Sequence, residues 1–245
     1  MKLYFIRHGD PDYEKDSLTE KGFREARLLA EYMKKTDFHI DHCYVSPLGR
    51  AKDTARFTTD MLRIEAVEQE WLREFPSRIW RPDRTDKKMI CWDWLPADWT
   101  VNDDFYSFRH WMENERMEEG AVGYEYLRVT GAFGSLLSRH GYVKEGRVFH
   151  VNKANNDTLV FFCHFGVTCV LLSYLLNISP MVLWHGFVAA PSSVTGVVTE
   201  ERRKGTASFR VTGYGDVTHL SLAGEPPAPA ARFCECFDNE DERHD

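Results

Sequence analysis

No run of apolar residues in this chain reaches the length of about 18 that spans a bilayer. Nothing in it has the make-up of a cleavable leader either, because a short apolar strand opens at Lys2 and runs straight into charged residues. An excess of positive charge is also missing. The formal net charge of −7 speaks against nucleic acid and against anionic membrane surfaces as partners, and leaves anionic small molecules open, since these respond to the local field of a pocket. The six cysteines lack metal-binding pattern: only Cys234-Glu235-Cys236 stand close, with no second pair at ligand spacing. Without a secretory leader they read as reduced thiols of a cytoplasmic protein. Internal repeats are absent. What is left, at 245 residues, is a chain long enough for one large α/β domain with a full core.

What is there begins at the eighth residue. Met1-Lys2-Leu3-Tyr4-Phe5-Ile6 reads as a buried strand and ends at once in Arg7-His8-Gly9. The carboxyl end of a first strand is where open α/β sheets place their chemistry. An imidazole there serves as a nucleophile, a guanidinium forks onto phosphate, and a glycine lets backbone approach a ligand. A second apolar run, Cys43-Tyr44-Val45, leads into Ser46-Pro47-Leu48-Gly49-Arg50-Ala51. Serine followed by proline predicts a helix start, with Ser46 as N-cap and Pro47 at the first helical position. Arg50 then lies in a first turn that already favours anions. A third run, Leu159-Val160-Phe161-Phe162-Cys163, ends in His164-Phe165-Gly166, and Trp71-Leu72-Arg73-Glu74 places a carboxylate after the extended Ala66-Val67. Two histidines, two arginines and one acid at strand ends suit phosphoryl transfer. A histidine preceded by arginine at a strand end is a poor core residue, whereas an inert buried imidazole at His164 and a solvated carboxylate at Glu74 are the plain alternatives for those two.

These motifs resemble the histidine phosphatase superfamily, the group of cofactor-dependent phosphoglycerate mutases and related broad-specificity phosphatases. The resemblance runs through Arg7-His8-Gly9, Leu18-Thr19-Glu20-Lys21-Gly22, the Ser46 to Ala51 segment, Leu72-Arg73-Glu74 and His164-Phe165-Gly166. Ser193-Val194-Thr195 and Gly215-Asp216-Val217-Thr218-His219-Leu220 continue it. It implies that His8 attacks phosphorus, that Arg7, Arg50 and His164 hold the non-bridging oxygens, and that Glu74 protonates the leaving oxygen and then activates water. Two guanidiniums and a protonated imidazole would offset the charge of a phosphomonoester. His8 must keep its attacking nitrogen unprotonated, so its other nitrogen should donate to a backbone carbonyl. No metal or other cofactor is called for, because fixed cations do the work that magnesium does elsewhere.

Departures bear on the reaction. Asp10-Pro11-Asp12-Tyr13-Glu14 lacks the hydroxyl and the asparagine that mutases carry after Arg-His-Gly, and Glu14 would repel a phosphate if it took that place. Phe75-Pro76-Ser77 lacks the mutase pattern after the acid. The reading is therefore a metal-independent phosphomonoester hydrolase, of histidine acid phosphatase type, acting on a small phosphorylated substrate. The alternatives are a phosphoglycerate mutase and a non-catalytic phospholigand-binding module.

Helical spacing of Gly22, Ala26, Leu29, Ala30 and Met33 predicts one helix, and Ala51, Thr54, Ala55, Thr58, Met61 and Leu62 a second. Val122, Tyr126, Val129, Phe133, Leu136 and Leu137 mark a third, and Val167, Val170, Leu171, Tyr174 and Leu175 a fourth, whose first amides should face the phosphate site. Further strands are expected at 194–199 and 208–212. Alternating strands and helices predict a three-layer α/β/α sandwich with a mainly parallel central sheet, like that of phosphoglycerate mutase. It should form a single domain over residues 1–222, interrupted at 78–119. That segment carries Trp80, Trp92, Trp94, Trp99 and Trp111, is basic in its first part and acidic in its second. It is either an aromatic-walled cap over the active site, as insertions at this point of the superfamily tend to be, or a satellite core whose tryptophans pack on each other. From residue 223 to 245 the proline-rich, then charged, sequence predicts an extended tail, with Phe233 and Phe237 as candidates to dock it.

Overall fold

The computed structural model describes residues 1–230 and 232–244; Ala231 and Asp245 of the expected tail lie outside the described residues. In chain order the strands are β1 (Lys2–Arg7), β2 (Pro11–Asp12), β3 (Ser17–Leu18), β4 (His42–Val45), β5 (Ala66–Glu68), β6 (Arg78–Ile79), β7 (Met89–Ile90), β8 (Tyr142–Glu145), β9 (Val148–Val151), β10 (Thr158–Cys163), β11 (Val194–Arg203) and β12 (Thr206–Asp216). The helices are α1 (Glu20–Lys35), α2 (Gly49–Leu62), α3 (Pro96–Trp99), α4 (Glu115–Glu119), α5 (Val122–Arg139), α6 (Phe165–Leu176), α7 (Pro180–Gly186) and α8 (Thr218–Ala223).

Eight strands form one sheet in the order β5-β4-β10-β1-β11-β12-β9-β8. The half that carries Arg7-His8, Ser46 and His164 is parallel: β1 pairs β10, β10 pairs β4 and β4 pairs β5, all in the same direction. The other half is an antiparallel extension from β11 to β8. Its last two strands escape sequence reading, because Val148 and His150 are exposed and the short apolar alternation they interrupt is weak.

Side chains alternate along the central strands between two separate cores. Leu3, Phe5, Leu159 and Phe161 point to the face covered by α5, α6 and α7. Ile6, Val160 and Phe162 point to the opposite face, with Leu29 and Met33 of α1 and Ala51 and Ala55 of α2. Covering both faces is why these strands read as continuous apolar runs. Phe161 sits against Phe5 at 5.2 Å and Tyr44 at 5.2 Å between ring centres.

The 78–119 segment joins the larger of these cores. Trp111 is fully buried between Tyr126 and Trp184, Trp94 packs on Phe105, and Trp99 stacks on His185. The basic residues of its first part are not all solvated. Arg81 is buried and forks onto the carboxylate of Asp83 at 2.6 and 2.8 Å. The tail is held otherwise than Phe233 and Phe237 would hold it. Glu225 pairs with Lys21 at 2.7 Å, the buried Ala228 donates its N–H to Glu25, and Arg243 approaches Asp93 at 4.0 Å. Phe237 is 83% exposed.

Candidate active site

His8 follows the last residue of β1 and is locked by backbone on both sides: its N–H donates to Cys163 and its carbonyl accepts from Ser192. The ring is buried and Nδ1 lies 2.7 Å from the Gly9 carbonyl. A carbonyl only accepts, so Nδ1 carries the proton and Nε2 keeps its lone pair, as nucleophilic attack requires. Burial first, then the neighbouring Arg7 and Arg50, hold the His8 pKa well below the ordinary histidine value. Gly9 permits this turn by close packing, since a Cβ there would stand 2.6 Å from the Gly22 carbonyl oxygen.

The cations come from two elements. Arg7, at the end of β1, is buried and donates through Nη1 to the Ala189 carbonyl at 2.6 Å. Arg50, in the first turn of α2, donates through Nη1 to Asp16 Oδ1 at 2.6 Å. Asp16, in the left-handed region at φ 48°, accepts the Gly49 N–H on its other oxygen at 2.7 Å. The N-cap of α2 is therefore Leu48, with no side-chain cap of its own, and a carboxylate from a distant loop replaces the serine expected there. Asp16, two residues beyond the Asp10–Glu14 segment, is thus a carboxylate that reaches the site, whereas Glu14 is exposed. Tyr13 lies with its ring 5.4 Å from the Arg50 guanidinium and its hydroxyl beside Arg7.

Ser46 turns to His164. Its Oγ lies 2.8 Å from His164 Nε2 and accepts from the Leu48 N–H at 3.3 Å. The hydroxyl has a second lone pair and a proton of its own, so it engages Nε2 in either tautomer of the ring. The two histidine rings are 5.1 Å apart. The expected protonated His164 is not what the surroundings favour. Burial, then His8, Arg50 and Arg7, drive its pKa well below the usual value, so the ring is neutral until an anion arrives. Arg7 Nε, Arg50 Nε and His164 Nδ1 are all buried and have no hydrogen-bond partner among the described residues.

Glu74 faces this group from the loop after β5. Its carboxylate accepts from Phe75 N at 2.9 Å, Val167 N at 3.0 Å and Gly166 N at 3.2 Å. The opening amides of α6, expected to face the phosphate, hold the acid. Burial raises the Glu74 pKa above the ordinary glutamate value, and the three amides and Arg7 only partly offset it. Glycine at 166 is a packing requirement: a Cβ would lie 2.7 Å from Glu74 Oε1 and 2.8 Å from Trp92 Nε1. Trp92, from the 78–119 segment, donates to the Phe75 carbonyl at 3.1 Å and so stands beside the acid.

All five residues singled out in the sequence thus meet at one place. Asp16, Ser46, Tyr13 and Trp92 join them and were not legible as site residues. Asp16 and Tyr13 lie in a loop whose course no local pattern sets, and Trp92 is one of several tryptophans with nothing in the sequence to single it out.

The family model described as histidine phosphatase superfamily (branch 1) matches residues 3–212. Phosphoserine phosphatase 1 of Hydrogenobacter thermophilus is 23% identical over 225 residues, covering 86% of this chain and 93% of that protein. A 2,3-bisphosphoglycerate-dependent phosphoglycerate mutase of Treponema denticola is 33% identical, but over 81 residues, 29% of this chain and 31% of the mutase. The structure of an Entamoeba histolytica phosphoserine phosphatase variant in complex with phosphoserine superposes with a TM-score of 0.53 at 19% identity, covering 89% of this chain and 98% of that one.

Proposed function

The chain belongs to the histidine phosphatase superfamily (branch 1) and hydrolyses phosphomonoesters; from that premise we infer that His8 is its covalent nucleophile and Glu74 its acid and base. The observation that carries this is the set of buried, unengaged nitrogens on Arg7, Arg50 and His164 beside the lone pair of His8. Three such nitrogens satisfy the three non-bridging oxygens of one phosphoryl group. Left without a partner, each would cost on the order of 1–3 kcal/mol.

His8 Nε2 attacks phosphorus, the N–P bond forms as the bond to the leaving oxygen breaks, and Glu74 gives that oxygen its proton. The resulting carboxylate takes a proton from water, whose oxygen attacks phosphorus and releases His8 and inorganic phosphate. The approaching dianion raises the His164 pKa and draws a proton onto the ring, so the full complement of positive charge is assembled by the substrate. Arg50 is kept in place by Asp16, which yields part of its hold when phosphate binds.

The leaving group is that of a small phosphorylated substrate, and the 78–119 segment shapes its pocket as a cap, with Trp92 beside Glu74 supporting that role. Residues 1–222 form the catalytic domain and the tail braces it. Free thiols at all six cysteines support a cytoplasmic setting, and among the described residues no helix is long and apolar enough to cross a membrane.

The test is hydrolysis of an aryl phosphate and of a panel of natural phosphomonoesters in the presence of chelator. Turnover should persist in the wild type and vanish in His8→Ala. Wild-type turnover that chelation abolishes, or that survives in His8→Ala, would overturn the assignment.

A further inference from the structure

At the opposite end of the sheet from His8, three metal-ligating side chains meet. His42 opens β4, Asp157 precedes β10, and His140 caps the C-terminus of α5. Their ligand atoms all lie within 4.8 Å of one another. The backbone that brings them together is cross-braced. Asp41 donates its N–H to the Thr158 carbonyl and accepts the Thr158 N–H on its side chain at 2.8 Å. Asn155 donates to the His140 carbonyl at 2.8 Å, and Lys2 donates to the Asp157 carbonyl.

His140 is aimed. Its Nε2 lies 2.9 Å from the hydroxyl of the buried Tyr44, which leaves Nδ1 directed at Asp157 Oδ2 at 3.9 Å. That separation is too long for a hydrogen bond. It is close to the roughly 3.3–3.5 Å between two ligands that share one zinc ion at ordinary bond lengths. A phenol oxygen that accepts the Nε2 proton would fix the ring and free Nδ1 for a metal, as carboxylate, carbonyl and water partners do for ligating histidines. The His42 ring stands edge-on to His140, 4.6 Å between centres, and among the described residues makes no hydrogen bond.

We propose that His42, His140 Nδ1 and Asp157 form a binding site for a first-row divalent cation, zinc by preference, which clamps the end of α5 to the starts of β4 and β10. Two imidazoles and one carboxylate are a borderline donor set that suits zinc and leaves a position for water. The charged groups around it are Arg139 and the Met1 ammonium on the positive side and Asp41, itself bound to His39, on the negative. The six residues of β10 separate the cluster from His164, about 20 Å at the rise of a strand. The site is therefore a brace and takes no part in phosphoryl transfer.

Zinc titration of the chelator-treated full chain, read by calorimetry and equilibrium dialysis, tests this. The wild type should bind one equivalent, and its Tm should rise by about 5–10 °C at a hundredfold excess of zinc over Kd. His42→Ala, at an exposed position, and Asp157→Asn should each weaken binding at least about tenfold and leave kcat/KM for phosphate esters unchanged. His8→Ala should keep the equivalent. Zinc that binds unchanged in His42→Ala and Asp157→Asn, zinc that is lost in His8→Ala, or no zinc binding below the millimolar range would each overturn the site.

Discussion

At the scale of single residues, the site works by moving two pKa values in opposite directions. His8 is pushed down by burial and by Arg7 and Arg50, so it stays a nucleophile into mildly acidic solution. Glu74 is pushed up by burial, so it stays an acid above the ordinary glutamate range. A neutral imidazole exists above its own pKa and a protonated carboxyl below its own, so kcat/KM should follow a bell. The acid limb belongs to His8 and lies below about pH 6.5, and the alkaline limb belongs to Glu74 and lies above about pH 4.5. Glu74→Gln should lower kcat by about 10²–10⁴-fold and remove the alkaline limb. A pH–rate profile that keeps this limb in Glu74→Gln would assign it to another group. Arg7, His8, Arg50, Glu74 and His164 were legible in the sequence because each stands in a short contiguous motif at the end of an apolar run. The neutral state of His164 was not, because it depends on burial and on cations that other elements bring to it.

At the scale of elements, local rules held where one segment alone decides and failed where another segment competes. Thr19 caps α1 with its own hydroxyl, accepting from Gly22. Ser46 carries an equally good cap signal, yet its hydroxyl serves His164 and Asp16 takes over the N-terminus of α2. A buried imidazole nitrogen has no water to turn to and claims the serine, while a half-buried loop carboxylate is free to cap the helix. The central strand β10 was recognisable as buried on both faces from its unbroken apolar run. Phe161 packs between Phe5, Tyr44 and Phe133 on one of those faces. Phe161→Ala should cost about 3–5 kcal/mol in urea unfolding and loosen His164 three residues on. A loss below 1 kcal/mol, well under the large-to-small range, would mean that the sheet core rearranges to fill the space.

At the scale of the whole molecule, the buried histidines tie stability to pH. His185 and His219 both have pKa values lowered to about 4 by burial, and His8 and His164 lie well below the usual value. Between about pH 6.5 and 4 the unfolded chain binds protons at these rings that the folded chain does not, so stability falls as pH falls. His185 and His219 contribute roughly 3 kcal/mol each to that loss by about pH 4. Glu25 and Glu74, whose pKa values are raised, act in the opposite sense over part of the range. Four histidines outweigh two carboxyls, and thermal melting should shift downward from neutral pH to about pH 4.5. A Tm that holds or rises over this interval would show that the rings titrate in the folded protein.

The sequence by itself determined that three buried strands run into Arg7-His8, into the segment that carries Arg50 and into His164, because strand, turn and polar residue are contiguous and each is dictated by neighbours a few positions away. It determined two covered faces of the sheet for the same reason. The tertiary structure alone decided which carboxylate caps α2, which tryptophan stands beside Glu74, and that His42, His140 and Asp157 share one corner. These contacts join residues far apart in the chain. Their geometry follows from how the strands pair and from which buried polar groups must find partners, and no local window contains that information.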